Sequence, residues 1–252
     1  MDAKVRSFPD FDYFLAEISA APSLEQLSSL ISEMRIAYDL AHIVYHAVHI
    51  PGDAPANPIL LPTYSPEWVA RYLEKNYFRV DPVVHAGRKN FLPVDWSEVD
   101  RESREAQDFF AQADRFEVGR HGVTLPIRAA AGERALLTIT SNRNVRQWQR
   151  VRRGYIREFQ NLAYYIHDRA CTLSGYRQTD DGQNLSAREL QCLELMARGM
   201  VPKRIGEQLG VTDVAVRLHL RSACYKLKCA TTHQAIAKLV NRELIDPQNL
   251  YS

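Results

Sequence analysis

The chain has 252 residues, 46% hydrophobic and 25% charged, with a formal net charge of +2. That length suits two domains, and the composition is globular, which excludes wholesale disorder. So small a net charge also excludes a chain that is basic throughout, leaving the distribution of charge to be read. Between Leu185 and Ile245 stand ten basic and five acidic residues, about +5, which leaves about −3 for the rest. This asymmetry points to nucleic acid as the partner of the C-terminal part. The four cysteines, Cys171, Cys192, Cys224 and Cys229, form no CxxC pair, and no histidine is read at a zinc spacing from them. Cys192 and Cys224 fall on apolar helix faces and read as small core residues. Met1 to Asp12 lacks the apolar run of a signal peptide, and no apolar stretch approaches the roughly 18 residues that span a bilayer. The expectation is a reduced, cytoplasmic protein without a membrane partner.

Phe11 to Ala37 carries apolar residues at helical spacing, and Pro22 divides it into two helices. Ser23 can cap the second, with Gln26 three residues on. His42 to Ile50 is β-branched and aromatic and stops at Pro51-Gly52-Asp53, which predicts a strand and a turn. Pro66 opens a short helix reaching Tyr77, and Arg101 to Phe116 is a charged amphipathic helix. Gly122–Ile127 and Arg134–Thr140 read as a hairpin around Ala130-Ala131-Gly132-Glu133. A long helix follows from about Asn144 to Ala170. Helices before, between and after the strands predict an α-β-α sandwich over a mostly antiparallel sheet.

Residues 172–184 are polar and read as a linker. Beyond them, Ser186 and Glu189 have capping-box spacing, and Gly199 ends the helix they open. Pro202 suits a first helical turn, Gly210 stops the short helix, and Thr212 caps a longer one through Lys228; Thr232 to Val240 forms the last. A short helix, a tight turn with glycine and a longer helix make helix-turn-helix grammar within a four-helix, all-α domain.

Leu185-Ser-Ala-Arg-Glu-Leu-Gln-Cys-Leu, Ala197-Arg-Gly, Ile205-Gly-Glu-Gln-Leu-Gly-Val-Thr and Val216-Arg-Leu-His-Leu-Arg resemble the LuxR-type DNA-binding domain. Upstream, Tyr64-Ser-Pro-Glu-Trp68-Val-Ala-Arg-Tyr72, Val80-Asp81-Pro82-Val83, Pro93-Val-Asp-Trp96 and His121-Gly122-Val-Thr-Leu-Pro126 are similar to the acyl-homoserine-lactone-binding domain of quorum-sensing LuxR-type receptors. The resemblance implies an α+β protein in three parts: an autoinducer-binding sandwich over 1–171, a linker over 172–184 and a DNA-binding domain over 185–252. It implies a ligand-dependent transcriptional regulator, and not an enzyme, that binds a palindromic promoter site as a homodimer. RNA polymerase stands as a candidate further partner. The alternative is a solo regulator of the same fold that answers to a different small molecule.

The resemblance also assigns roles. Trp68 would donate its indole N–H to the lactone carbonyl, Asp81 would accept the amide N–H, and Tyr64 would donate to the amide carbonyl. Thr138 would support that carbonyl, while Tyr72 and Trp96 would pack around the ring. No cofactor is implied. His42, His46, His49, His85 and His121 are scattered without a metal-binding or catalytic motif, so metal and catalysis are not expected. On the recognition helix, Arg217 and Arg221 lie four apart on one face and would read base edges. Lys203, Arg204, Thr212 and Lys226 would hold phosphates. Val214 and Ala215 depart from the Arg-Thr pair common in the family, which puts the operator sequence in doubt. Gly206 replaces a usual alanine, at a helix-propensity cost of up to about 1 kcal/mol.

Overall fold

Five antiparallel strands make the central layer of the N-terminal unit, in the order β2-β1-β5-β4-β3. They are β1 (His42–His49), β2 (Ile59–Pro62), β3 (Val94–Asp95), β4 (His121–Arg128) and β5 (Arg134–Ser141). The computed structural model describes residues 11–51, 55, 58–129, 132–176, 185–241 and 244–245. The chain divides into two compact units, one before and one after the segment around residue 177.

The strands sort their side chains by parity. Ile43, Tyr45 and Ala47 of β1 join Val123, Leu125, Ile127, Ala135, Leu137 and Ile139 in one large core. That core is closed by α1 (Phe11–Ala20), α2 (Leu24–Ala37) and α6 (Val145–Leu173). The even-numbered residues Val44, His46, Leu136 and Thr138 face the other layer. That layer contains α3 (Pro66–Glu74), α4 (Pro82–Lys89) and α5 (Arg104–Arg115). With both faces covered, β1, β4 and β5 are buried along nearly their whole length. Local caps fix the helix starts. Ser23 accepts from Gln26 N, Ser103 from Ala106 N, and Asn144 with Gln147 forms a capping box.

Several elements differ from the sequence expectation. The helix opened by Pro66 ends at Glu74, and residues 77–79 form a separate 3-10 turn after Asn76, whose φ is +51°. Ser103 starts α5 three residues later than expected. Helix α4 and strands β2 and β3 were not anticipated: Asp81 caps α4, with Pro82 in its first turn. Helix α6 runs to Leu173, two residues into the expected linker, and residues 177–184 of that linker lie outside the described residues. So do Gly52 and Asp53 of the first expected turn and Ala130 and Ala131 of the hairpin turn.

The second unit comprises α7 (Ala187–Ala197), α8 (Pro202–Leu209), α9 (Asp213–Lys226) and α10 (Thr232–Asn241). They pack around Cys192, Leu193, Ile205, Val216, Leu220 and Leu239. Gly210 closes α8 at φ +68°, a conformation that suits glycine, and Thr212 caps α9 by accepting from Ala215 N.

Candidate functional site

A largely apolar cavity lies between the sheet and the α3–α5 layer. Tyr64, Trp68, Tyr72, Asp81, Trp96 and Thr138 all line it, so the six positions expected at the ligand converge on one place. The cavity volume is about 60 Å³. Val44, Leu60, Val83 and Leu136 supply apolar wall, and His46, its ring tilted against Phe78 at 4.8 Å between centroids, supplies a buried polar one.

The polar groups divide into those already paired and those left to the cavity. Asp81 is 7% exposed and caps α4: Oδ1 accepts from Val83 N at 2.8 Å and Val84 N at 3.2 Å. Its other oxygen accepts from the Tyr72 hydroxyl at 2.7 Å. Burial pushes the Asp81 carboxyl above its ordinary range, against the pull of those three donors. Burial also raises the Tyr64 and Tyr72 hydroxyls, with the Asp81 charge adding to it, so both remain protonated donors. Trp68, 1% exposed, sits in an aromatic box of Tyr72, Tyr77, Phe109 and Phe116 with ring centroids 5.3–6.0 Å away. Among the described residues, the Trp68 indole N–H and the Tyr64 hydroxyl have no hydrogen-bond partner. Both open on the cavity, and a ligand that seals it without accepting from them would leave a cost of about 1–3 kcal/mol for each.

Trp96 is placed by two neighbours. A Cβ on Gly122 would come within 2.5 Å of the indole ring, so the ring lies directly on the glycine. Its N–H donates to Thr124 Oγ1 at 3.1 Å, and Thr124 Oγ1 lies 2.9 Å from Thr138 Oγ1, directly across the β4–β5 hairpin. Thr124 was not anticipated. Neither was His42, whose ring packs 4.9 Å from Tyr64 and whose nitrogens reach the carbonyls of Thr63 and Glu117. Burial lowers the His42 pKa.

In the second unit, Lys203, Arg204, Thr212, Arg217 and Arg221 are exposed on α8, α9 and the turn between them. Arg217 is loosely paired with Asp213 at 3.8 Å. Val214 and Leu218 are 61% and 62% exposed on the same helix. Lys226 is held elsewhere: its ammonium lies 2.9 Å from Glu189. Glu189, 4% exposed, also accepts from Ser186 N and the Ser222 hydroxyl. Burial alone would raise this carboxyl, but Lys226, Ser222 and the Ser186 N–H together pull it down to about 2. Gly206 packs on the turn, where a Cβ would meet the Val211 carbonyl oxygen at 2.7 Å.

Residues 23–170 match the family described as autoinducer binding domain, and residues 183–239 match the luxR family of bacterial regulatory proteins. The chain belongs to the autoinducer-binding luxR family. The transcriptional activator protein RaiR of Rhizobium etli is 48% identical over 185 residues, 73% of this chain and 76% of that protein. AhyR of Aeromonas hydrophila, also a transcriptional activator, is 26% identical over 93% of this chain and 91% of its own. Escherichia coli SdiA shares the fold at TM-score 0.71 and 17% identity, over 93% of this chain and 97% of that one. A second SdiA structure, in complex with octanoyl-rac-glycerol, matches at TM-score 0.66 and 17% identity, over 92% of this chain and 93% of that one. This luxR-family chain is therefore an autoinducer-binding transcriptional regulator whose helix-turn-helix binds DNA. Among the described residues no helix is long and apolar enough to cross a membrane.

Proposed function

We propose that the autoinducer is an N-acyl-homoserine lactone, bound in the cavity of the N-terminal unit. The carrying observation is that two donors without protein partners among the described residues, the N–H of buried Trp68 and the O–H of half-buried Tyr64, line the same apolar space as the Asp81 carboxylate. A lactone carbonyl, an amide N–H and an amide carbonyl supply the complementary set, and an acyl tail suits the apolar remainder. Trp68 donates to the lactone carbonyl, Tyr64 to the amide carbonyl, and Asp81 accepts the amide N–H. Tyr72 holds the second Asp81 oxygen in place, and Trp96 packs on the lactone ring. With Trp96 donating to Thr124 and Thr124 to Thr138, the Thr138 hydroxyl proton is left for the ligand carbonyl. The protein acts by binding and has no catalytic role.

Residues 1–171 are the binding domain, 172–184 the linker and 185–252 the DNA-binding domain. Ligand burial stabilises the folded state by mass action and thereby a homodimer, whose two helix-turn-helix units fit a palindromic site in the cytoplasm. Arg217 and Arg221 read bases; Lys203, Arg204 and Thr212 hold phosphates, as does Lys226 as far as its bond to Glu189 leaves it free to reach them. Val214 and Leu218, exposed on the recognition helix, meet thymine methyl groups, with Val214 and Ala215 standing where the Arg-Thr pair is usual. RNA polymerase is the further partner of an activator bound at a promoter.

Tryptophan-fluorescence titration with a series of acyl-homoserine lactones tests the ligand. Saturable binding by one tail class, weakened about tenfold or more in Trp68→Phe, is the expected result. Because octanoyl-rac-glycerol occupies a protein of this fold, it is the control ligand. Tight binding of the acylglycerol with no response to any lactone would move the site to a different small molecule.

A further inference from the structure

On the opposite face of the sheet, away from the cavity, three polar side chains meet inside the apolar core. His167 and Cys171 stand four residues apart on α6 and share its inner face, at 1% and 0% exposure. Glu133, at the entrance to β5, is 6% exposed and has the same parity as Ala135 and Leu137, which face that core. Donor atoms of the three residues lie within 4.8 Å of one another. Cys171 Sγ is 3.8 Å from each ring nitrogen of His167, and Glu133 Oε2 is buried with no hydrogen-bond partner among the described residues. The Tyr45 hydroxyl meets His167 Nδ1 at 2.8 Å.

We propose that Glu133, His167 and Cys171 bind a divalent transition-metal ion of the zinc type. The charge balance favours it: a thiolate and a carboxylate neutralise a divalent cation, so the assembled site enters the core without net charge. Binding releases the thiol proton, and any proton on the carboxyl, to solvent. Tetrahedral bonds of about 2.0–2.3 Å put ligand atoms roughly 3.3–3.8 Å apart. The Cys171–His167 pair already meets that spacing, and the remaining gaps close with shifts of about 1 Å. With Nδ1–H donating to the Tyr45 hydroxyl oxygen, the imidazole takes the tautomer whose Nε2 lone pair coordinates a metal. A thiolate with an imidazole and one carboxylate selects a borderline ion over magnesium or calcium. The bound ion ties the start of β5 to the last turns of α6, just ahead of the segment leading to the DNA-binding unit. Contrary to the sequence expectation of no histidine at a metal spacing from a cysteine, His167 stands one helical turn before Cys171, and Glu133 lies a whole hairpin strand and helix away.

The test titrates the full-length chain, freed of metal by chelation, with Co²⁺ as the probe. One equivalent should saturate it, with a sulfur-to-cobalt charge-transfer band that Zn²⁺ displaces and Cys171→Ser removes. A variant with Cys192, Cys224 and Cys229 all changed to serine should keep the band, so the result does not depend on Cys171→Ser folding well. Glu133→Gln and His167→Gln, near in shape to the originals, should weaken uptake about tenfold or more with the circular dichroism unchanged. Absence of saturable one-to-one uptake, or a band that vanishes in the triple serine variant, would overturn the proposal. Lactone binding is read separately, and its outcome does not bear on the metal.

Discussion

Replacing Asp81 separates its structural work from its work on the ligand, because its two oxygens do different things. Oδ1 caps α4 through Val83 N and Val84 N, and Oδ2 accepts from Tyr72. Asparagine keeps an oxygen for the cap, and its amide can donate to the Tyr72 hydroxyl, which then turns its own proton elsewhere. Alanine loses the cap, about 1 kcal/mol, and leaves the Tyr72 hydroxyl buried without its acceptor, about 1–3 kcal/mol more. Asp81→Ala should therefore lower stability by about 2–4 kcal/mol, and Asp81→Asn by less than about 1. Both should lose the amide N–H acceptor, which as a charged hydrogen bond is worth about 1.5–3 kcal/mol, or roughly 10- to 150-fold in Kd. The pH dependence has a definite sign. The folded carboxyl titrates above its ordinary 3.8, so the folded state binds the extra proton in the window above that value. Stability from this group falls as pH rises through the window to the raised value, and Asp81→Asn should flatten that slope. Urea unfolding followed by tryptophan fluorescence measures all of this, since the tryptophans at 68, 96 and 148 all lie in the N-terminal unit. If Asp81→Asn binds lactone as tightly as the parent, the role given to Asp81 is wrong.

Gly122→Ala should push Trp96 off its seat and strain its bond to Thr124, costing about 1–3 kcal/mol and weakening ligand affinity; unchanged unfolding midpoint and Kd would contradict the packing described. Glu189→Gln should destabilise the second unit by about 1–3 kcal/mol and no more, because Lys226 is partly exposed and can turn to water. Its carboxyl is held at about 2, so its contribution is present above its ordinary 4.5 and lost as pH falls toward 2. Circular dichroism of the parent and Glu189→Gln between pH 7 and pH 3 checks both signs. Arg217→Ala should cost about 1–3 kcal/mol on a specific site and much less on random DNA, measured by anisotropy at fixed salt; equal losses on both would assign Arg217 to phosphate.

The helices that were legible in the sequence carry their own start signals: Ser23, Asn144 and Ser186 each have a cap partner three residues on. The β4–β5 hairpin was legible because its strands are β-branched and adjacent. Strand β2 was not, for Ile59–Pro62 is four residues long between prolines and is defined by pairing with β1. Helix α4 was missed because Asp-Pro serves equally as a turn and as a cap followed by a first-turn proline. The cavity gathers Tyr64, Trp68, Tyr72, Asp81, Trp96 and Thr138 from distant segments, and periodicity alone would make the aromatic ones core. Family resemblance, and not spacing, brought them together. Thr124 was within reach, since hairpin register places it opposite Thr138. His42 had no signal, because its contacts to Thr63 and Glu117 exist only once the sheet is assembled.

The most direct measurement is fluorescence anisotropy of a labelled two-fold symmetric promoter fragment with the full-length protein, with and without the acyl-homoserine lactone that the titration selects. A large, lactone-dependent change in Kd, with two chains per DNA and loss of the effect in Asp81→Asn, is the expected result. DNA binding indifferent to every lactone, in a protein that is folded and binds the fragment, would contradict ligand gating through this cavity.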